Sequence, residues 1–207
     1  MKGKLTLQQR LTLPIILLGL VALLSNILAV SGINNVNSNA GIIVDTYMAS
    51  ETRLEEIRRS MMGIHRLALS HIIAADHKTM IQLVQQIKEE EAVLDGQLAA
   101  YASFVPKAEE GTYQALLEDY AAFKHALVRL ACASADSKTQ EAYAVANGDV
   151  ASYGSLAEGR IDTLYAAASA QAGAAQDKLF TVYLTSLVIS ACTLIVGVAL
   201  VAVAFRI

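Results

Sequence analysis

The sequence predicts an all-α protein: an antiparallel up-down-up-down four-helix bundle whose first and last helices continue into two transmembrane helices. Three observations predict it. Two uncharged apolar runs, residues 11–30 and 179–205, lie near the two ends, and each has the roughly 20 residues that cross a ~30 Å hydrocarbon core. Between them Pro106 is the only proline, strand-like alternation is absent, and Ala, Leu, Glu, Gln and Lys dominate, which is a helical composition. All 19 Asp and Glu lie between the runs, whereas Lys2, Lys4, Arg10 and Arg206 flank them. The intervening segment, with 12 basic residues, therefore carries −7, and the positive-inside rule puts both flanks in the cytoplasm. A mean hydropathy of +0.44 is too high for a soluble domain and agrees with two spans.

Residues 1–10 are read as a cytoplasmic N-terminus and 11–31 as the first transmembrane helix. Its length and the lack of a small-x-small cleavage site before SGINN favour an uncleaved signal anchor over a signal peptide. Residues 32–178 form the exported bundle, in four helices of about 32–75, 77–104, 106–135 and 138–178. Asp76 caps the second, Val105-Pro106 separates the second from the third, and Ser137-Lys-Thr-Gln140 reads as a capping box for the fourth, which Asn147-Gly148 interrupts. At 1.5 Å per residue the outer two helices reach roughly 60 to 65 Å and the inner two roughly 42 to 45 Å, so two long rods carry a shorter hairpin. Residues 179–205 form the second span, with Phe180 and Tyr183 at the outer interface and Phe205 and Arg206 at the inner one. Residues 206–207 begin a cytoplasmic part.

Core stripes at helical spacing run through Leu54, Ile57, Met61, Ile64, Ala68 and Ile72, then Met80, Leu83, Ile87, Leu94, Leu98 and Tyr101. The third helix offers Tyr113, Leu116, Tyr120, Phe123, Leu127 and Leu130, and the fourth Ile161, Leu164, Ala168 and Ala175. Cys132 and Cys192 read as small buried residues, although an unpaired Cys132 outside the cytoplasm is able to link two copies.

The stretch EIRRSMMGIHRLALSH, residues 56–71, carries three arginines and two histidines on the first bundle helix. At 100° per residue, with Arg58 at zero, the core stripe centres at about 290°. A second strip of Leu69, Met62 and Ile73 falls at about 20°, 40° and 60°, flanked by His65 at about 340° and by Arg66 and Arg59 at about 80° and 100°. A helix already facing its own bundle has no intramolecular use for that strip, so it suits a second copy of the chain. Arginines along such a seam are partly desolvated and short of counter-charge. Their forked donors match carboxylate geometry, which makes Arg58, Arg59 and Arg66 candidate binders of a small carboxylate-bearing ligand, with Met62 and a neutral His65 beside them.

Counting rise from the turns puts about residues 147–156 opposite these arginines. Ser152 and Tyr153, and Tyr143 about one to two turns nearer the tip, are thus the candidate hydroxyl donors. The competing reading pairs the arginines with Glu51, Glu55, Glu56 or Asp162 on a wet surface, at ~0 to 1 kcal/mol each. His71 and His77 follow His65 at intervals that rotate successive rings about 240° apart, so no metal site is expected, nor any cofactor.

The N-terminal span, the acidic helical segment with its ALSHIIAADHKTM helix end and AAYASF-to-Pro106 turn, and the second span ending Ala-Phe-Arg-Ile together resemble bacterial methyl-accepting chemotaxis receptors with a four-helix-bundle sensor domain. The resemblance covers the chain as an architecture and rests on hydrophobic spacing. It implies a homodimeric periplasmic sensor in the bacterial inner membrane that binds small molecules at the subunit interface. In aspartate-binding members, arginines on the first helix of both subunits grip carboxylates and fourth-helix residues complete the site. Arg53 and Arg58 keep a matching five-residue spacing, but Met62 stands where a third arginine would fall, so the resemblance does not carry aspartate over. Such receptors continue into a HAMP linker and a cytoplasmic signalling hairpin, expected beyond Ile207, through which cytoplasmic signalling proteins would be partners.

The expected function is thus a transmembrane chemoreceptor sensor region for a small organic acid or amino acid, signalling by helix displacement. The alternatives are the same input module on a sensor histidine kinase or cyclase, and a membrane-anchored self-associating structural protein. An enzyme is not expected, since no Ser/His/Asp or Cys/His pairing and no glycine-rich phosphate loop can be placed. Nucleic-acid binding is opposed by the −7 charge.

Overall fold

The structure is a computed structural model that describes the backbone of residues 7–206. The expectations for Lys2, Lys4 and Ile207, and for the side chains of Arg10, Phe205 and Arg206, lie outside the described residues. The described chain is entirely helical, a four-helix bundle with no strand. Its elements are α1 (Leu7–Ile42), a π-helical segment (Ile43–Met48), α2 (Ala49–Ile72), α3 (His77–Tyr101), α4 (Glu110–Ala135), α5 (Thr139–Val145), a second π-helical segment (Ala146–Val150) and α6 (Ala151–Arg206).

Two compact units divide the chain. The bundle unit, Asp45–Ala172, lies inside the 32–178 segment. Its core is the set of stripes that helical spacing selects: Leu54, Ile57, Ile64 and Ala68 of α2 and Leu116 of α4 are wholly buried, with Met61, Ile72, Tyr113, Tyr120, Phe123, Leu127 and Leu130 nearly so. Burial of each large side chain contributes about 1.5 to 3 kcal/mol before chain entropy is subtracted. In α3 the stripe is buried from Ile87 to Tyr101, while Met80 and Leu83 stay half-buried. The fourth bundle helix, made of α5, the π segment and the start of α6, buries Ala142, Ala146, Val150 and Ala157 as well as Ile161, Leu164 and Ala168. Ala175 is half-buried and falls outside this unit.

The helix ends follow from local chemistry. Asp76 is an extended N-cap whose carboxylate accepts from the Thr79 amide and hydroxyl, both at 2.8 Å, and these hydrogen bonds hold its pKa below the ordinary value. Val105 is extended, as a residue before proline must be, and 3-10 turns on either side, Ala102–Phe104 and Lys107–Glu109, carry the chain from α3 to α4. The Tyr113 hydroxyl donates to the Leu98 carbonyl at 2.8 Å and Lys124 pairs with Asp95 at 3.0 Å, fixing the α3–α4 hairpin.

Ser137 is not the cap expected from the capping-box pattern. Lys138 is the N-cap of α5 and provides no side-chain cap. Ser137 instead takes φ 60°, the left-handed residue that closes α4. Its amide donates to the Ser134 carbonyl at 3.1 Å and the Lys138 amide to the Ala133 carbonyl at 2.9 Å, the paired bonds of a Schellman ending. An extended Ser137 able to cap α5 would lose both. Asn147-Gly148 widens the fourth helix into a π turn rather than breaking it. The first π segment, in a stretch with neither proline nor glycine, had no counterpart among the expected breaks. Cys132 and Cys192 are exposed free thiols rather than buried residues: the α4 stripe passes through Leu130 and Ala133 and leaves position 132 outward.

The second unit holds the described residues up to Val44 and from Gly173. Here α1 and α6 contain windows long and apolar enough to cross a membrane, and almost none of either window is buried. A core helix of the same composition would be covered, whereas Leu23, Ile33, Leu194 and Ile195 all point outward at more than 60% exposure. The two helices approach closely at small residues: a Cβ added to Gly32 would meet the Ser186 side chain at 3.1 Å, and one added to Gly197 would collide with Val21. Close contact through Gly and Ser is how helices associate where lipid gives no hydrophobic drive.

Because Ser137 is an L-residue held in the left-handed region, Ser137→Gly relieves strain that Gly does not suffer. The variant is expected to gain about 0.5 to 1 kcal/mol, read as a raised midpoint in thermal or urea unfolding of the bundle.

Candidate functional site

The outward face of α2 carries a groove of ≈ 440 Å³ lined by Glu55, Arg58, Arg59, Met62, Gly63 and Arg66. Helical geometry assembles it, since positions 55, 58, 59, 62, 63 and 66 share one side of the cylinder. Gly63 leaves its floor open, with nothing within 4 Å of where a Cβ would stand. The three guanidiniums differ in their partners. Arg58 is half-buried, and its Nη2 donates to Asp162 Oδ1 on α6 at 2.5 Å while Nε stands 3.7 Å from Glu55. The Asp162 hydrogen bond raises the Arg58 pKa above its ordinary value against the opposing effect of burial. Arg59 and Arg66 are exposed and form no ion pair among the described residues.

Met62 is shared with a second, smaller cavity of ≈ 170 Å³, lined also by Met61, His65, Phe123, Ala151, Gly154, Ser155 and Glu158. His65 stands edge-on to the Phe123 ring, centroids 6.5 Å apart. Of the residues named from sequence, the structure thus brings Arg58, Arg59, Met62 and Arg66 to one groove and His65 to the adjoining cavity. Tyr143 and Ser152 are exposed and Tyr153 packs half-buried against the core; none of the three lines either space. Met61 to His65 face residues 151–158 and Arg58 faces Asp162, a register deeper into the fourth helix than counting rise gave. The π segment contributes to that offset, because its wider turns take up extra residues.

Sequence reasoning missed Gly154, Ser155 and Glu158, and weighed Asp162 only as a surface partner. Their i, i+4, i+8 spacing from Gly154 through Glu158 to Asp162 was the available signal. Arg53, five residues before Arg58, stacks its guanidinium over the Phe104 ring at 5.0 Å, and its Nε is buried without a hydrogen bond. No group of three or more His, Cys, Asp or Glu gathers as a metal site among the described residues.

At the far end of α2, His71 is 1% exposed. Its Nδ1 has no hydrogen-bond partner, its carbonyl accepts from the Ser134 hydroxyl at 3.1 Å, and burial pushes its pKa below the ordinary value.

A four-helix bundle with a cationic groove on one outer face, in a chain with two helices long and apolar enough to span a bilayer, has the make-up of a sensory module. The chain belongs to the four-helix-bundle sensory modules for signal transduction: the model of that family matches residues 4–183, most of the sequence. No individual curated protein matches the chain.

The His71 shift fixes the sign of a pH effect. Below about 6.5 the unfolded chain takes up a proton that the buried ring refuses, so stability present at neutral pH is lost as pH falls. Unfolding midpoints measured from pH 7.5 to 5 should therefore fall in the wild type and fall less steeply in His71→Leu, whatever the variant's absolute stability. Parallel slopes would show that His71 does not titrate on unfolding.

Proposed function

We propose that this module is the periplasmic sensor of an inner-membrane chemoreceptor, that it works as a homodimer, and that the α2 groove takes a small anionic metabolite, an organic acid or an amino acid, at the subunit seam. The observation that carries the reading is the pair of exposed arginines without counter-charge, Arg59 and Arg66, in one groove with Met62. With Arg58 and its two acidic partners counted, the groove retains positive charge, which favours an anion and repels the same face of a second copy until one is bound.

The strip beside the arginines supports the dimer. Met62, Leu69 and Ile73 are 58%, 40% and 71% exposed, too apolar a row to leave in water along one helix face. Family membership supports a signalling role, and α6, a single α-helix from Ala151 to Arg206, supports transmission by a small axial shift of that helix to a cytoplasmic module. Such a shift needs the ligand to bind two arrangements unequally, by ~1 to 3 kcal/mol. No step in this role calls for catalysis.

The test is a thermal-shift screen of the full chain in lipid nanodiscs against organic acids and amino acids, repeated with Arg59→Ala and Arg66→Ala. Carboxylates are expected to raise the melting temperature, and each substitution to weaken binding about tenfold or more, the scale of one lost charge-assisted hydrogen bond. Ligands whose affinity survives both substitutions would place binding elsewhere. A panel with no ligand at all would favour the self-associating structural protein.

A further inference from the structure

Arg58 differs from its two neighbours in the groove. It alone reaches another helix, through Asp162, and that bond joins the candidate anion site to α6. A second ion pair, Arg160 Nε to Asp119 Oδ2 at 3.2 Å, holds α6 to α4 from a position two residues away. The Arg58 Nε is buried with no hydrogen bond, so the guanidinium has unused donor capacity although one Nη is engaged. The Asp162 side chain is 65% exposed, which makes the pair weak enough to be exchanged. A buried pair would not be.

We propose that Asp162 is an internal competitor for the ligand. In the empty sensor its carboxylate holds Arg58 as a ligand carboxylate would, and an anion entering the groove draws Arg58 away from it. This rests on the reading of the groove as an anion site. The chemistry is exchange of one carboxylate for another on the same forked donor, with no bond made or broken covalently. An anion attracted by Arg59 and Arg66 enters the groove that Arg58 also lines, with Arg58 next to Arg59 in the chain. Its gain is largest when Arg58 turns to it, and that turn costs the α2–α6 clip. Ligand occupancy and the α2–α6 contact are thereby linked, and by reciprocity anything that loosens the clip tightens binding. A switch requires the two partners to lie near balance, since a pair much stronger than the ligand contact would never open.

The experiment is titration calorimetry of the full chain in lipid nanodiscs with succinate, and with inorganic sulfate for comparison, on wild type, Asp162→Asn and Arg59→Ala. A nitroxide pair at Glu56 and Thr163, in a background with Cys132 and Cys192 changed to Ser, reads the α2–α6 distance. Asp162→Asn removes the competing charge at an exposed position and is expected to bind succinate about two- to five-fold tighter. The distance distribution should shift with succinate in the wild type and be shifted beforehand in Asp162→Asn. Equal affinity of wild type and Asp162→Asn, with Arg59→Ala weakened, would overturn the competition while leaving the anion groove standing. Weaker binding by Asp162→Asn would also overturn it, and would make Asp162 a residue that positions Arg58. Failure of both succinate and sulfate at millimolar concentration to bind any of the three would overturn the competition, and the same failure across the whole panel of organic acids and amino acids would overturn the anion groove as well.

Discussion

Each helix of this bundle must bury one apolar stripe against the other three, and α2 has more apolar surface than one stripe. Leu54, Ile57, Met61, Ile64, Ala68 and Ile72 satisfy the bundle. Met62, Leu69 and Ile73 are left over on the outer side, and the arginines flank that remainder because helical periodicity gives them no other place. The core therefore determines the site indirectly. By fixing the rotation of α2 about its axis, it sets Arg58, Arg59 and Arg66 along one groove and turns Arg58 toward α6. Rotating α2 by one residue would bury Met62 in place of Met61 and carry the arginines away from Asp162.

The connections hold that rotation. At one end Asp76 caps α3 and a Schellman ending closes α4, with the Ser134 hydroxyl bound to the His71 carbonyl across the tip. At the other end the Val105-Pro106 corner and the Tyr113–Leu98 hydrogen bond set the hairpin. The two π segments are the places where the rods depart from ideal α geometry. One precedes α2 and the other precedes α6, the two helices that carry the groove and its Asp162 partner. A π turn is a register offset stored in a helix, so both elements that define the site begin at such an offset.

Most of the fold was legible in the sequence, and the reason is side-chain size. The stripes of α2 and α4 are made of Leu, Ile, Met, Phe and Tyr, whose period of 3.6 stands out, and they are buried as expected. The first half of the fourth helix buries Ala142, Ala146 and Ala157, which carry too little hydropathy to mark a face in an alanine-rich segment. Capping by Asp76 was readable because an N-cap is a local pattern. The role of Ser137 was not, since whether such a residue caps the next helix or ends the last one depends on the direction the chain must take. The groove was half legible: its arginines lie on one helix and follow from the wheel, but the facing residues Glu158 and Asp162 depend on inter-helix register, which accumulates over two turns and a π segment.

The proposed arginine site requires the outer face of α2 to meet its own copy. Single cysteines at Met62, Leu69 and Ile73, with Cys132 and Cys192 changed to Ser, can be compared in native membranes with cysteines at Ile81 and Val128, which are similarly apolar and exposed but lie on α3 and α4. Mild oxidation should give disulfide-linked dimers at the three α2 positions and little at the other two. Crosslinking that is equal at all five, or stronger at Ile81 or Val128, would contradict a seam on α2 and with it the arginine site placed there.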